Sequence, residues 1–229
     1  SDGTNIYVAD TYNHKIRKIV ISTGEVTTFT GPAAGSTTSG STNGTGTSAR
    51  FNKPRDITTD GTNLYVADQN NHTIRKIVIS TAVVSTFAGN PGSSGSTNGT
   101  GTAARFNYPR GITTDGTNLY VGDSNNHTIR KIVISTGAVT TSAGNPGSAG
   151  STDATGTAAR FTNPWGIAAD GTNLYVADRN NHMIRKIVIA TKAVTTLAGY
   201  AGSSGSTDGT GTAAKFNYPN GITIDGTNL

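Results

Sequence analysis

Residues 63–79 read NLYVADQNNHTIRKIVI and contain the two segments that decide the fold of this chain. Residues 63–68 and 73–79 are rich in β-branched and aromatic residues, which favour strands. The polar residues 69–72 between them are typical of a hairpin loop, because Asn side chains readily bond to nearby backbone groups. The stretch therefore predicts two antiparallel strands joined by a short polar loop.

The same stretch recurs along the chain at a nearly constant spacing. The sequence Asp-Gly-Thr-Asn precedes each copy, and it begins at Asp2, Asp60, Asp115, Asp170 and Asp225. Repetition at such a period is the signature of repeat architectures. We expect a single domain over residues 1–229, or a fragment of a larger one, with repeats at 2–59, 60–114, 115–169 and 170–224 and a partial repeat at 225–229.

Each copy contains four strand candidates bounded by Gly, Asn, Asp or Pro. Four short antiparallel strands in each of four copies of about 55 residues predict an all-β fold, a β-propeller built from four-stranded blades. The first copy lacks the innermost strand, and Gly221–Asp225 has the matching sequence. We expect this C-terminal strand to complete the first blade in cis, or to pair in trans and form a homo-oligomer or filament.

Composition permits a folded core and excludes several kinds of site. The hydrophobic fraction is 33% with 30 Gly besides, and only 14% of residues are charged, which argues against a charged disordered tail or a salt-bridged helical bundle. The absence of Cys excludes disulfides, thiolate catalysis and Cys zinc sites. No apolar run is long enough to predict a membrane span. The net charge of +5 is spread over 229 residues and does not by itself indicate nucleic-acid binding.

The combination of Pro-x-Gly-Ile, Asn-Leu-Tyr-Val-Ala-Asp and Asn-His-x-Ile-Arg-Lys-Ile strongly resembles the NHL repeat over essentially the whole chain. The pair Asn-His occurs in every copy, at Asn13-His14, Asn71-His72, Asn126-His127 and Asn181-His182. The resemblance implies a propeller, often six-bladed, that serves mainly as a platform for protein, RNA or ligand interaction. A minority of the family are enzymes, such as the peptidyl-amidoglycolate lyases. Four copies predict either a four-bladed ring or part of a larger one.

The residues give no indication of catalysis, a metal site or a cofactor. The four His occupy the same loop of different blades, so they cannot converge on zinc, which needs three or four close ligands. The resemblance implies that the peptidyl-amidoglycolate lyases hold a metal with His side chains at the central channel. No matching residues occur in this sequence. The Asp residues lie mostly in repeated turns, which leaves no visible acid and base pair. The Gly-rich loops lack the Lys and the following helix of a phosphate loop.

Three structural roles are predicted for the repeated polar residues. Each His should form a hydrogen-bonded hairpin loop with the Asp four residues before it. The loop residues Asn43, Asn98, Asp153 and Asp208 should contact Arg50, Arg105, Arg160 or Lys215. The Arg-Lys pairs of the third strand should point to opposite faces, which excludes a continuous basic patch.

Candidate binding residues lie where the copies differ, in two loops that should emerge on one face of a propeller, around the channel mouth. The first loop precedes the innermost strand and the second joins strands two and three. Arg and aromatic residues, which are enriched at binding hot spots, are prominent in both loops. The candidates are Lys53, Arg55, Tyr108, Arg110, Trp165, Tyr218 and Asn220 in the first loop, and Tyr12, Gln69 and Arg179 in the second.

The sequence therefore predicts a non-catalytic scaffold or recognition platform, which could also self-assemble. A protein ligand is favoured over a glycan, because no acid pair is present to bind sugar hydroxyls. One alternative is a propeller-type lyase or hydrolase with its site at the channel mouth. The other is an RNA-binding propeller, which needs a contiguous positive face and a steep salt dependence. The excess of Thr, Ser, Gly and Asn is typical of an exported bacterial protein, so we expect an extracellular or cell-surface location.

Overall fold

A computed structural model describes all residues, Ser1–Leu229, and consists of short strands joined by loops and single helical turns. The strands are β1 Asn5–Asp10, β2 Lys15–Val20, β3 Val26–Thr30, β4 Gly44–Thr45, β5 Pro54–Thr59, β6 Asn63–Asp68, β7 Thr73–Val78, β8 Val83–Ala88, β9 Gly99–Thr100, β10 Pro109–Thr114, β11 Asn118–Asp123, β12 Thr128–Val133, β13 Ala138–Ala143, β14 Pro164–Ala169, β15 Asn173–Asp178, β16 Met183–Val188 and β17 Val194–Gly199. The 3-10 turns are Thr11–Asn13, Gly46–Ser48, Gln69–Asn71, Gly101–Ala103, Ser124–Asn126, Gly156–Ala158, Arg179–Asn181 and Gly211–Ala213. None of the helical segments is long and apolar enough to cross a membrane. The predicted all-β class is confirmed.

The chain forms two compact units, residues 1–109 and 110–229, whose boundary lies inside β10. In the first unit, β1, β2 and β3 form one antiparallel sheet, and β4, β8, β7, β6 and β5 form a second one. In the second unit, β10 to β13 form one sheet in chain order and β14 to β17 form another. The four predicted blades are therefore confirmed as four antiparallel sheets. That residues 1–229 form a single domain stays a prediction.

The Asp-Gly-Thr-Asn turn holds the first hairpin of each repeat in register. In repeat 2, Asp60 Oδ1 accepts hydrogen bonds from the backbone N–H groups of Thr62 at 2.9 Å and Asn63 at 2.7 Å. The Tyr65 hydroxyl donates to Asp60 Oδ2 at 2.9 Å. This Tyr follows the turn in the next strand, so the turn motif and the strand motif stabilise each other. Strands β6 and β7 then pair with Leu64 opposite Ile77.

Apolar side chains pack between neighbouring sheets within each unit. In the first unit, Tyr7 and Ile16 of one sheet join Phe51, Leu64 and Val66 in a buried cluster. The second unit has the matching cluster, which includes Tyr120, Ile129, Phe161, Leu174 and Val176. Both faces of a central sheet are covered, since Ile74 and Ile77 lie on opposite faces of β7 and are fully buried.

The predicted C-terminal strand is not formed, and this part of the prediction is corrected. Residues 221–225 contain no strand, and the sheet of repeat 1 has three strands. The backbone N–H of Gly166 donates to the carbonyl of Asn220 at 2.8 Å, so the start of this segment lies against β14. A strand needs a continuous ladder of such bonds, and the segment has only this beginning of one. Pairing in trans stays a prediction.

Candidate ligand-binding site

A buried ion pair fixes the loop between the second and third strands of a repeat. In repeat 2, Arg75 Nη1 lies 3.1 Å from Asp68 Oδ2, and both side chains are fully buried. Asn71 Nδ2 also donates to Asp68 Oδ2, and the backbone N–H of Asn52 donates to Asp68 Oδ1, both at 2.7 Å. Repeats 3 and 4 contain the same buried pair as Asp123 with Arg130 and Asp178 with Arg185.

Burial raises the pKa of Asp68 and of Asp178 to about 6, although the neighbouring Arg and Asn groups act in the opposite direction. The buried guanidinium beside each carboxyl group favours its ionised form. This ion pair was not predicted from the sequence. Its signal was an Arg repeated inside an otherwise apolar strand, seven residues after an Asp repeated in every copy. The predicted alternation is confirmed, since Arg75 is buried and the adjacent Lys76 is only half-buried.

The predicted Arg partner is wrong for the long-loop residues Asn43 and Asp153. Asn43 Oδ1 accepts from Arg75 Nη2 at 2.8 Å, and Asp153 Oδ1 accepts from Arg185 Nη2 at 2.6 Å. Arg50, the partner we expected for Asn43, instead donates to backbone carbonyls of its own loop. The loop Asn or Asp side chain bonds to the third-strand Arg because that Arg is buried and needs several hydrogen-bond acceptors. Arg50 finds its acceptors among the carbonyl groups of its own loop.

The His side chains bond to the loop after their own sheet rather than closing their own hairpin with Asp, which corrects that prediction. Each His Nδ1 accepts a hydrogen bond from a backbone N–H near the end of the long loop that follows its sheet. The pairs are Lys53 N–H to His14 at 3.0 Å, Tyr108 to His72 at 3.2 Å, Asn163 to His127 at 3.1 Å and Tyr218 to His182 at 3.1 Å. All four donors have positive φ, from 51° to 55°. The His network thus positions candidate residues Lys53, Tyr108 and Tyr218.

We expect His14, His72 and His127 to be neutral, with the proton on Nε2, because Nδ1 is a hydrogen-bond acceptor in each. Burial lowers the pKa of all three, and nearby Lys53 adds to the effect at His14. Their contribution to stability is therefore complete above pH 6.5 and is lost as the pH falls further. Imidazole ¹⁵N chemical shifts during a pH titration should show the Nε2–H tautomer and titration below pH 6.5. The Nδ1–H tautomer, or a pKa above 6.5, would contradict the assignment.

The structure brings four of the candidates together in the first unit. Lys53 Nζ lies 5.8 Å and Arg55 Cζ 5.9 Å from the ring centroid of Tyr12, whose side chain is largely exposed. Arg55 Nε donates to Gln69 Oε1 at 2.7 Å. A fifth candidate in this unit, Tyr108, instead packs edge-on against His72, with ring centroids 4.9 Å apart.

The other five candidates form one cluster in the second unit, which we call the Arg–Trp patch and which consists of Arg110, Trp165, Arg179, Tyr218 and Asn220. The Arg110 Cζ lies 4.3 Å and the Arg179 Cζ 4.4 Å from the Trp165 ring centroid. Arg179 Cζ also lies 4.6 Å from the Tyr218 ring centroid. Arg179 Nε donates to Asn220 Oδ1 at 2.9 Å, so every member contacts another one.

Arg179 is held in place yet keeps hydrogen-bonding capacity. Two aromatic rings contact its guanidinium group, and its Nε and Nη1 donate to the amide oxygens of Asn220 and Asn180, both at 2.9 Å. A guanidinium carries five N–H groups. The remaining three face no acceptor of the chain, and the side chain is partly exposed. The arrangement can present N–H donors to an anion at little entropic cost.

Two pockets of the first unit contain none of the ten candidate residues. One is lined by Asn13, Lys15, Arg17 and Thr28 together with residues 34–37, and the other by Ser1, Tyr7, Leu64 and residues 57–59. No group of three or more His, Cys, Asp or Glu residues in the structure could hold a metal ion.

The NHL repeat family matches residues 106–132 and 161–187, which contain the Asn-His loops of repeats 3 and 4. The chain contains NHL repeats. Protein SUPPRESSOR OF QUENCHING 1, chloroplastic, of Arabidopsis thaliana is 31% identical over 232 residues, covering 96% of this chain and 22% of that protein. NHL repeat-containing protein 2 of Bos taurus is 33% identical over 162 residues, covering 66% of this chain and 22% of that protein. The chain thus spans about a fifth of the length of these NHL relatives.

Solved structures with the same fold include two from Bacteroides thetaiotaomicron. A protein of unknown function has a TM-score of 0.64 and 21% identity, with 97% of this chain and 62% of that chain covered. An auxiliary nutrient binding protein has a TM-score of 0.63 and 17% identity, with 97% and 61% covered. These similarities, with the four antiparallel sheets, show that the fold is of the β-propeller class.

Proposed function

We propose that this NHL-repeat chain is a non-catalytic recognition module that binds an acidic segment of a partner protein at the Arg–Trp patch. The observation that carries the proposal is the Arg179 guanidinium, which contacts two aromatic rings and retains three N–H groups for a ligand. Arg, Trp and Tyr are the residues most enriched at protein-binding hot spots. The net charge of +5 would also attract an acidic partner.

Carboxylate groups match the chemistry of the patch. A carboxylate can accept two parallel N–H bonds from one guanidinium, and such charge-assisted bonds are stronger than neutral ones. Arg110 and Arg179 both lie against Trp165, so their charges are close together and favour two neighbouring acidic side chains. The partly exposed Trp165 and Tyr218 rings offer apolar contact area to the rest of the segment.

A protein ligand fits this surface better than RNA. A nucleic-acid backbone is bound by a row of basic groups. In this chain the third-strand residues Arg75, Arg130 and Arg185 are buried in ion pairs and cannot contribute to such a row. We further propose an extracellular or cell-surface site of action, where a module with exposed recognition loops meets other proteins.

Short poly-L-glutamate is a suitable probe, because Trp165 is the only Trp and its fluorescence reports directly on the patch. We expect saturable binding in wild type, weakened at least about tenfold by Arg179→Gln, since bonds to charged groups contribute about 1.5–3 kcal/mol. Lys192→Gln is the matched control, because it removes the same charge from an exposed loop residue. Equal weakening by both substitutions, or none by Arg179→Gln, would refute the proposed site.

A further inference from the structure

A row of three Asn side chains continues the Arg–Trp patch along the surface of the second unit. We call this row the amide ladder, and it consists of Asn125, Asn163 and Asn180. Asn163 Nδ2 donates to Asn125 Oδ1 at 3.2 Å, and Asn180 Nδ2 donates to Asn163 Oδ1 at 3.3 Å. Arg179 Nη1 donates to Asn180 Oδ1 at 2.9 Å, so the row ends on a member of the patch.

Arg179 sets the orientation of every amide in the ladder. A guanidinium group only donates hydrogen bonds, so Asn180 turns its oxygen toward Arg179 and its NH₂ group toward Asn163. Asn163 therefore accepts with its oxygen and donates with its NH₂ group to Asn125. All three amides thus bond in the same direction along the row.

The central member, Asn163, has a fixed backbone. It lies near the end of the long loop before β14 with φ 52°, a left-handed conformation that Asn adopts more readily than most residues. Its backbone N–H donates to His127 Nδ1 at 3.1 Å. The same position holds Lys53, Tyr108 and Tyr218 in the other copies. A side-chain amide therefore occurs at this position in one copy only, and there it bridges two hairpin loops.

The two outer members lie in the 3-10 turns that join the second and third strands of their repeats. The backbone N–H of Asn180 donates to the carbonyl of Thr162 at 3.1 Å. Next to Asn125, the buried Ser124 hydroxyl donates to the carbonyl of Pro164 at 2.6 Å. The ladder is thus preorganised, and a ligand can bind it with little further ordering of the protein.

The ladder keeps hydrogen-bonding capacity for a ligand. A side-chain amide has two N–H groups and an oxygen that accepts two bonds. Asn163 and Asn180 each use one N–H and one acceptor position within the row, and each retains one of both. Asn180 is exposed and Asn163 is half-buried. Asn125, which has a further repeat on either side of its own in the sequence, is exposed as well.

An N–H donor beside a carbonyl acceptor is also what each residue of an extended peptide presents along one edge. Two residues paired in an antiparallel ladder exchange both of their N–H···O bonds. A side-chain amide can make the same two bonds to one residue of a ligand main chain. The side chains of an extended peptide alternate between two faces, which leaves acidic side chains free to reach Arg179.

We propose that the amide ladder binds the main chain of an extended acidic peptide whose carboxylates bind Arg110 and Arg179. This inference rests on the proposed function, and it adds the conformation of the ligand and the residues that recognise its backbone. The row carries no charge, so it matches a neutral peptide main chain better than a nucleic-acid backbone, which is bound by basic groups.

A series of hexaglutamates, each with one internal backbone amide replaced by an ester, tests the proposal. Each ester removes one N–H donor from the peptide and leaves every carboxylate in place. The fluorescence of Trp165, the only Trp, measures binding. At least one ester should weaken binding to wild type about fivefold, the effect of losing one neutral hydrogen bond.

The variant Asn163→Gly identifies the group of the protein that is involved. Gly adopts positive φ without strain, so the fold should be kept, which circular dichroism checks. The unmodified hexaglutamate should bind this variant about fivefold more weakly than wild type, and the sensitive ester should cause no further loss. Asn145→Ala is the matched control, because the amide of Asn145 bonds to Ser148 outside the ladder. It should leave the affinities for both peptides unchanged.

Failure of the ladder and failure of the proposed function give different results. If every ester binds wild type as tightly as hexaglutamate while Arg179→Gln still weakens binding, the ladder is overturned and the proposed function stands. Hexaglutamate that does not bind wild type would contradict both. An ester effect that persists in Asn163→Gly would overturn the ladder. So would a hexauridine oligonucleotide that binds more tightly than hexaglutamate and loses affinity in Asn163→Gly. The ester series on wild type decides the matter even if this variant does not fold.

Discussion

Replacing Asp68 by Ala should lower the free energy of unfolding by about 3–5 kcal/mol, because it leaves a buried guanidinium without an ionised partner. Arg75 is fully buried, and its other partners are all neutral: it donates to the Asn43 amide and two backbone carbonyls, and its Cζ lies 5.2 Å from the Phe51 ring centroid. Urea unfolding followed by far-ultraviolet circular dichroism measures the loss. Exchange of the whole pair, Asp68→Leu with Arg75→Met, should recover much of it, since no charge is then buried.

The same substitution in repeat 4 is the matched comparison. After Asp178→Ala, Arg185 still has an ionised partner, because Asp153 lies 2.6 Å from its Nη2. We therefore expect a smaller loss of stability than for Asp68→Ala. Equal losses would mean that the hydrogen bonds of the Asp, rather than the charge on the buried Arg, account for the effect.

Replacing Gly144 by Ala should cost about 2–5 kcal/mol, from a strained left-handed backbone and from overlap with neighbouring atoms. Gly144 follows β13 with φ +89°, and an added Cβ would lie 2.6 Å from the carbonyl oxygen of His127 and 3.2 Å from the Phe161 ring. His127 bonds to the loop before β14, and Phe161 packs in the cluster between the two sheets of the second unit. Trp165 fluorescence in a urea titration monitors the unit that contains this residue.

Gly147→Ala separates the two contributions. Gly147 also has positive φ, +77°, but an added Cβ there meets nothing within 4 Å. It should therefore cost only about 1–2 kcal/mol, the strain of a left-handed residue alone. A loss as large as that of Gly144→Ala would show that contact with the His127 carbonyl is not what requires Gly after β13.

The sheets could be predicted well from the sequence, because each strand pattern occurs in several copies of the repeat. Strand boundaries around Asn63–Asp68 and Thr73–Val78 follow from residue type, and the turn residues explain the register. The loops that differ between copies also contain Arg110 and Arg179, which both lie against Trp165 in the structure. That these residues bind a ligand stays a prediction.

Contacts between segments far apart in the sequence could not be predicted in the same way, because they depend on packing that no local pattern encodes. The Nδ1 of His72 bonds to the N–H of Tyr108, 36 residues away, rather than to Asp68 in its own hairpin. Arg75 is bound by a loop more than 30 residues earlier. The strand predicted at residues 221–225 failed for the same reason, since a strand exists only where a partner supplies the ladder.

The most direct test of the account is the NMR signal of the Trp165 indole N–H, which is unique in this chain. On titration with short poly-L-glutamate, we predict that this signal shifts in a saturable manner in wild type, that the shift weakens with salt, and that Arg179→Gln abolishes most of it. An indole signal that stays unchanged while backbone amides elsewhere respond would place binding away from the Arg–Trp patch and contradict the proposed function.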